Sequence, residues 1–459
     1  MANLDDFKAK FKGDIVTPRD ADYEQALDRW AANAKRRAEV VAFVKDPADV
    51  ALAIKYARDA GLRIAIRGGG HSAAGTSSSE GGLVIDLSRY LNNVRVDPGQ
   101  KLAYVQGGAN WKTVDEASIK HGLAGVAGTV NHTGVGGLTV GGGYGWLSGL
   151  YGLVIDNTVQ MTIVTADGSI LDANETQNAD LFWGVRGGGS NFGVVTEFVF
   201  KLHPQRPKVF AGLLVFPPDK VEQIGAFADE WWANVKPDEG MVIGVSRALG
   251  NPAIVALIFV NDSEAEGRKR LKKLFDIGPV VDQAKEIPYE ELNAITNPMA
   301  EWGACYYFKG VLLSNTPAGD LNITKHQRFL DITARMPDHT VSIMHEYFPH
   351  AKINSLPADA TPYRRDLPGN ALIVIQWKEN TPENAIKAKE AAHALAELAP
   401  EGEAYGNYTP DSDALPVAGA VSADKTKLLY RDNYPRLQAI KKNYDPNMVF
   451  NQWHTIVPA

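Results

Sequence analysis

"LRIAIRGGGHSAAG", residues 62–75, runs an alternating apolar segment straight into three consecutive glycines and a histidine. Ile64 and Ile66 alternate with smaller or polar neighbours, which predicts a short strand, and Gly68, Gly69 and Gly70 end it in a turn. Successive backbone N–H groups in such a turn form a concavity that suits an anion such as phosphate. Arg67 and Ser72 flank it with a cation and a hydroxyl. At this stage His71 has four readings: a ligand, a base, an attachment point, or a polar residue in a surface turn.

The flanking segments show what the loop belongs to. "DPADVALAIKYARDAG" (46–61) has helical apolar spacing, a start at Asp46-Pro47 and a glycine stop at Gly61. "GGLVIDLSRY" (81–90), "KLAYVQGGANW" (101–111) and "GVVTEFVFKLHP" (193–204) predict strands, and "WKTVDEASIKHG" (111–122) a helix. "TVQMTIVTADGSILDA" (158–173) predicts a hairpin turned at Asp167-Gly168. Two more glycine clusters follow, "GVAGTVNHTGVGGLTVGGGYGWLSGLYG" (125–152) and "WGVRGGGSNFGVVTEF" (183–198). The first contains a dinucleotide-type glycine spacing but lacks the strand–turn–helix setting and a clearly placed acidic residue. A Rossmann nicotinamide site is therefore rejected. Three glycine loops between residues 68 and 193 point instead to a large phosphate-bearing or planar ligand.

Beyond "HPQRPKVFAGLLVF" (203–216) the character changes. "MVIGVSRAL" (241–249) and "PAIVALIFV" (252–260) predict strands; "SEAEGRKRLKKLF" (263–275) and "TPENAIKAKEAAHALAEL" (381–398) predict helices. This is an α+β pattern, a sheet with helices on one side. In "LIVIQW" (372–377), Ile373, Ile375 and Trp377 share one face, and Val374 and Gln376 the other. Gln376 is a candidate to face substrate. His345 and Glu346 in "SIMHEYF" (342–348), and Tyr306 and Lys309 in "CYYFKG" (305–310), are expected to be packed or solvated strand residues.

Composition excludes several classes. The 459 residues carry a net charge of −7, without the excess of cations that nucleic acid attracts. The single cysteine, Cys305, rules out an intramolecular disulfide and a multi-cysteine metal site. No run approaches the roughly 18–20 apolar residues of a membrane span. The N-terminus has no apolar core of a signal peptide. The expectation is an intracellular, cytoplasmic protein with no metal, acting on a small molecule, with neither nucleic acid nor membrane as partner.

The ordered set "RGGGH", "GGLVIDLS", "GGGYG", "RGGGSNFGVVTEF" and "NYDPNMVFN" resembles the berberine-bridge-enzyme-like branch of the vanillyl-alcohol-oxidase, or PCMH-type, flavoprotein superfamily, across almost the whole chain. The resemblance implies the two-domain α+β fold of that superfamily. An FAD-binding domain would span 1–205, with its core at about 36–205; a substrate domain would span 206–404. A C-terminal segment, 405–459, would return to the FAD domain. It implies FAD joined through the 8α-methyl to His71. Val130 stands where many members have a second, cysteinyl attachment, so the link should be mono-covalent. His132 is expected to satisfy a loop hydrogen bond, with a catalytic role and a second flavin link as its alternatives. The implied cofactor-binding set is Arg67, Gly68, Gly69, Gly70, His71, Ser72, Gly128, Thr129, Val130, His132, Thr133, Gly134, Gly137, Leu138, Gly142, Gly143, Tyr144, Gly145, Asn157, Val195, Asn433 and Tyr434.

The resemblance also implies chemistry. "AYGNYTPD" (404–411) matches a family Tyr-x-Asn-Tyr motif, which makes Tyr408 the candidate base, with Tyr405 and Gln376 as further catalytic candidates. A free phenol has a pKa near about 10, so that of Tyr408 must be depressed or its proton shared with a neighbour, Tyr405 or a polar residue across the pocket. The expected activity is oxidation at a C–H next to a hydroxyl, with O2 reoxidising the flavin to give H2O2. Leu138, at a position that gates oxygen in the family, keeps a dehydrogenase or oxygenase open as the alternative. A catalytically silent flavin-binding protein is the third reading. Substrate identity and oligomeric state are not encoded in these motifs.

Overall fold

The computed structural model describes residues 3–248, 251–314, 316–322, 327–366, 369–400, 405–408 and 423–459. Ala404 and Thr409–Asp411 of the tyrosine motif, with the expected boundary at 404, lie outside the described residues.

The first helix expected from the sequence spans Pro47–Ala60. Asp46 caps it by accepting from the Asp49 backbone N–H, and Gly61, at φ 68°, closes it in the left-handed region. Its apolar stripe, Val50, Ala53, Ile54 and Ala57, is fully buried. That helix belongs with a four-stranded sheet ordered Asp14–Val16, Val40–Phe43, Leu83–Asp86 and Ile64–Arg67, in which the last three strands run parallel. The glycine loop therefore leaves the end of an edge strand. A second, antiparallel sheet of five strands runs Val94–Asp97, Leu102–Gln106, Val194–Lys201, Thr158–Val164 and Ile170–Asn174. The hairpin turned at Asp167-Gly168 forms its last two strands.

After Pro204 the chain builds an eight-stranded antiparallel sheet. Six of its strands are ordered Lys208–Phe216, Asn251–Val260, Glu239–Ala248, Thr340–Tyr347, Asn370–Trp377 and Cys305–Leu312, the last at an edge. One face packs on helices Val221–Ala233 and Pro382–Ala396, joining Ile224, Ala228, Ala388 and Ala392 to Ile243, Ile373, Ile375 and Trp377 in one core. The face that carries Val374 and Gln376 roofs a cavity. The expected helix at 263–275 is broken into Glu264–Arg270 and Lys272–Asp276 by Leu271, whose ψ is 17°. Arg270 is drawn there onto Asp238, Glu239, Asp262 and Glu266.

The C-terminal helix, Tyr434–Tyr444, docks on the first half of the chain. Lys441 and Asp445 form a fully buried ion pair at 2.7 Å, and Lys441 Nζ also donates to the carbonyls of Asn191 and Phe450. A second buried pair, Arg365 with Asp156, ties a loop of the eight-stranded unit to the turn after the second glycine cluster. Among the described residues, no helix is long and apolar enough to cross a membrane.

Candidate active site

The glycine loops enclose a cavity of about 700 Å³ between the two smaller sheets and the roof sheet. Their packing explains the residue type. A Cβ on Gly69 would lie 2.5 Å from the Gly134 backbone, and one on Gly68 would lie 2.9 Å from the Gly107 carbonyl oxygen. The loops thus meet backbone to backbone, with no room for side chains. Gly68, Gly69, Gly70, Ser72, Gly128, Thr129, Val130, Thr133, Gly134, Gly137, Leu138, Tyr144 and Val195 all line the cavity.

His71 sits in this wall against an aromatic stack. Trp30 stacks on its ring at 4.1 Å and on Tyr306 at 4.0 Å, and the Trp30 indole N–H donates to the Ala300 carbonyl. His71 Nε2 lies 3.0 Å from His132 Nδ1. Burial and the neighbouring His132 push the His71 pKa down to about 3, and burial lowers that of His132. Both rings are therefore neutral at physiological pH, and one donates to the other. The loop hydrogen bond expected of His132 is made to His71 itself.

The other end of the cavity holds a carboxyl between two phenols. Tyr408 Oη donates to Glu346 Oε1 at 2.9 Å, and Tyr144 Oη donates to Glu346 Oε2 at 2.6 Å. Glu346 is buried. Burial raises its pKa to about 7, against the lowering effect of the two phenol hydrogen bonds. The same burial, with Glu346 next to them, holds both phenols well above their usual value. The expectation that Glu346 is a bland strand residue is thus corrected. Alternation along Thr340–Tyr347 points it into the cavity and its neighbour His345 away, onto the Ile243 carbonyl. It is the only carboxylate in the cavity wall, and neither lysine nor arginine lines it among the described residues. Tyr405 accepts from the Gly143 N–H at 3.0 Å and from Asn407 Nδ2 at 2.6 Å. Gln376 lines the cavity too, but across the ladder from Thr340, six residues along the strand from Glu346.

Other residues of the implied set lie behind the wall. Arg67 pairs with the buried Asp86 at 2.7 Å. Gly142, Gly143 and Gly145 pack against Tyr363, Val154 and Ala127. Asn157 bonds the carbonyls of Tyr151 and Leu153 and the His203 ring. Asn433 bonds those of Ala358 and Thr361, and Tyr434 Oη accepts from the Val457 N–H. Their contacts hold the backbone that carries the loops. Sequence reasoning missed Trp30 and underrated Tyr306 and Glu346. Glu346 had a signal in the alternation with Ser342 and Met344; Trp30 had none.

The wall suits FAD. Its glycine-lined part presents backbone and hydroxyl groups, and Ser77 Oγ is buried there without a hydrogen-bond partner. Its other part is lined by aromatic and aliphatic side chains, as a ring system requires. The donor set at 68–77 and 128–137 would hold the phosphate-bearing part, and His71, Leu138 and Tyr408 border the remainder.

Comparison with known proteins agrees. Residues 38–174 match the family model of an FAD binding domain, and residues 404–456 match that of berberine and berberine-like proteins. The FAD-linked oxidoreductase OXR1 of Pyricularia oryzae is 30% identical over 449 residues, covering 95% of this chain and 87% of the relative. The crystal structure of 6-hydroxy-D-nicotine oxidase from Arthrobacter nicotinovorans is similar, with a TM-score of 0.84 and 25% identity over 98% of this chain and 99% of that one. Glucooligosaccharide oxidase from Acremonium strictum, which carries a 6-S-cysteinyl, 8α-N1-histidyl FAD, shares the fold at a TM-score of 0.84 and 22% identity over the full length of both chains.

Proposed function

This chain belongs to the berberine-bridge-enzyme-like FAD-linked oxidoreductases, and from that premise we propose that it is an oxidase acting on a C–H bond beside a hydroxyl. The overall reaction converts CH–OH and O2 to C=O and H2O2. Bound FAD supplies the two-electron acceptor for the hydride that leaves carbon. The residues of the chain handle the proton and the placement.

The observation that carries this reading is the Tyr408–Glu346–Tyr144 triad in the cavity wall. A partly buried phenol with a raised pKa is a poor base by itself. Glu346, with a pKa of about 7, is ionised in about half of the molecules at neutral pH and can take a proton. The substrate hydroxyl passes its proton to Tyr408 Oη as Tyr408 passes its own to Glu346 Oε1. Tyr144 keeps its hydrogen bond to the other oxygen and stabilises the carboxylate before the transfer. Tyr405 is a positioning residue: its hydroxyl bridges Gly143 and Asn407 and supports the turn that carries Tyr408.

His71 is the single covalent tether in this reading. Its neutral ring keeps the lone pair that attachment requires, and Trp30 and His132 fix its orientation. Val130 offers no thiol in the wall, and Cys305 is buried in the core on the helix side of the roof sheet. Leu138 borders the cavity, where it bears on access of O2. That position favours a dehydrogenase as the second reading. Rapid mixing of the photoreduced holoprotein with air-saturated buffer tests the choice. Reoxidation within seconds with one H2O2 per flavin is expected, and reoxidation over minutes overturns the oxidase reading.

A further inference from the structure

The roof sheet is graded in polarity, and the grading bears on what can lie beneath it. Hydrogen-bond register places its cavity-facing side chains in rows. The row that contains Glu346 continues across the sheet through Val242, Leu257 and Leu213. The next row holds Leu372, Met344 and Val255, with Gly244 between the last two. Hydroxyl side chains begin only in the third row, at Ser342 and Ser246, which bond each other at 2.8 Å. Thr340 and Gln376 follow in the fourth.

Two strand residues span about 7 Å, so the first two rows extend an apolar surface for about 14 Å from Glu346 before Ser342 is reached. Strand backbone groups in these rows are committed to the ladder. A molecule whose reacting hydroxyl meets Tyr408 and Glu346 must therefore lay its neighbouring carbons on valine, leucine and methionine. An oligosaccharide bears hydroxyls on nearly every carbon. Each one pressed against these rows gives up water without a partner, which disfavours it. Among the described wall residues Glu346 is the only carboxylate to neutralise a cation, and that carboxylate is needed for the proton. We infer, on the reading of the site as a hydroxyl-oxidising centre, that the substrate is an uncharged alcohol with an apolar body, an alkenyl or aryl alcohol rather than a sugar or an amine.

Anaerobic bleaching of the flavin in the holoprotein tests this. The probes are allyl alcohol, hex-2-en-1-ol, oct-2-en-1-ol, cellobiose and benzylamine. The kcat/KM should rise about three- to fourfold per added methylene along the alcohols. Cellobiose and benzylamine should fall at least a hundredfold below oct-2-en-1-ol. Met344→Gln, close in volume and shape, should lower kcat/KM for oct-2-en-1-ol about tenfold and flatten the chain-length series. A flat series in the unaltered protein, or faster bleaching by cellobiose or benzylamine, overturns the substrate class; bleaching by cellobiose leaves the oxidase reading standing. If dithionite bleaches the flavin and no probe does, the hydroxyl-oxidising reading falls with it.

Discussion

Replacing Glu346 by Gln removes the only carboxylate of the described cavity wall and nearly preserves its shape. Two consequences follow from its surroundings. The first concerns rate. If Glu346 takes the proton that Tyr408 relays, flavin reduction in the unaltered protein should lose a factor of ten per pH step below about 7. The amide introduced by Glu346→Gln cannot accept that proton, so the acid limb should vanish and the rate should fall about 10²- to 10⁴-fold. The second concerns stability. Burial lifts the Glu346 pKa from 4.5 to about 7 in the folded protein. Between those values the folded state holds more proton than the unfolded one, so stability falls as pH rises through the interval and levels off above it. At about 1.4 kcal/mol per pKa step, the loss amounts to roughly 3 kcal/mol. The variant should escape it. Stopped-flow absorbance of anaerobic flavin reduction from pH 5 to 9 reads the first effect. The melting temperature of variant minus unaltered holoprotein, at pH 5 and pH 8.5, reads the second and should increase with pH. The difference matters because Asp115, also raised to about 7 by burial, gives both proteins the same background slope. An acid limb that survives in Glu346→Gln, or a flat profile in the unaltered protein, refutes the proton-transfer reasoning.

Three further outcomes are expected. His71→Ala should leave all flavin in the supernatant after acid precipitation and none fluorescent on a denaturing gel; flavin that stays attached would identify a second link, with His132 the first place to look. Gly69→Ala forces a Cβ to 2.5 Å from the Gly134 backbone, which cannot yield as a flexible side chain would, so the ratio of flavin to protein absorbance should drop severalfold; unchanged flavin content would contradict the close loop packing. Lys441→Met strands the buried Asp445 charge, at a cost of about 3–5 kcal/mol, and Lys441→Met with Asp445→Leu should recover part of it. A urea midpoint unmoved by the single change would show that the C-terminal helix is held otherwise.

The elements of this fold are legible one at a time because their signals are local. Asp46 and Gly61 bracket a helix through a cap and a left-handed turn made within a few residues. Asp167-Gly168 turns a hairpin for the same reason, and the alternation in 372–377 sorts Gln376 from Ile375 correctly. The glycine loops announce close backbone approach, and their order along the chain carries the family resemblance that the comparisons bear out. The break at Leu271 is not visible in this way, because the carboxylates that hold Arg270 come partly from residues 238, 239 and 262, outside the helix.

The site is where tertiary structure decides. Alternation separates Glu346 from His345, yet says nothing of which face looks into a cavity. That was settled when the helices Val221–Ala233 and Pro382–Ala396 covered the other face. Tyr408 meets Glu346 from 62 residues away, and Trp30 stacks between His71 and Tyr306, which is 276 positions along from it. By itself the sequence determined the glycine turns and the strand faces, both consequences of short-range backbone sterics. The Glu346 carboxyl with its two phenol partners and the apolar rows around it exist only in the assembled sheet, since burial and a partner at 2.9 Å are properties of residues that the chain brings together from far apart.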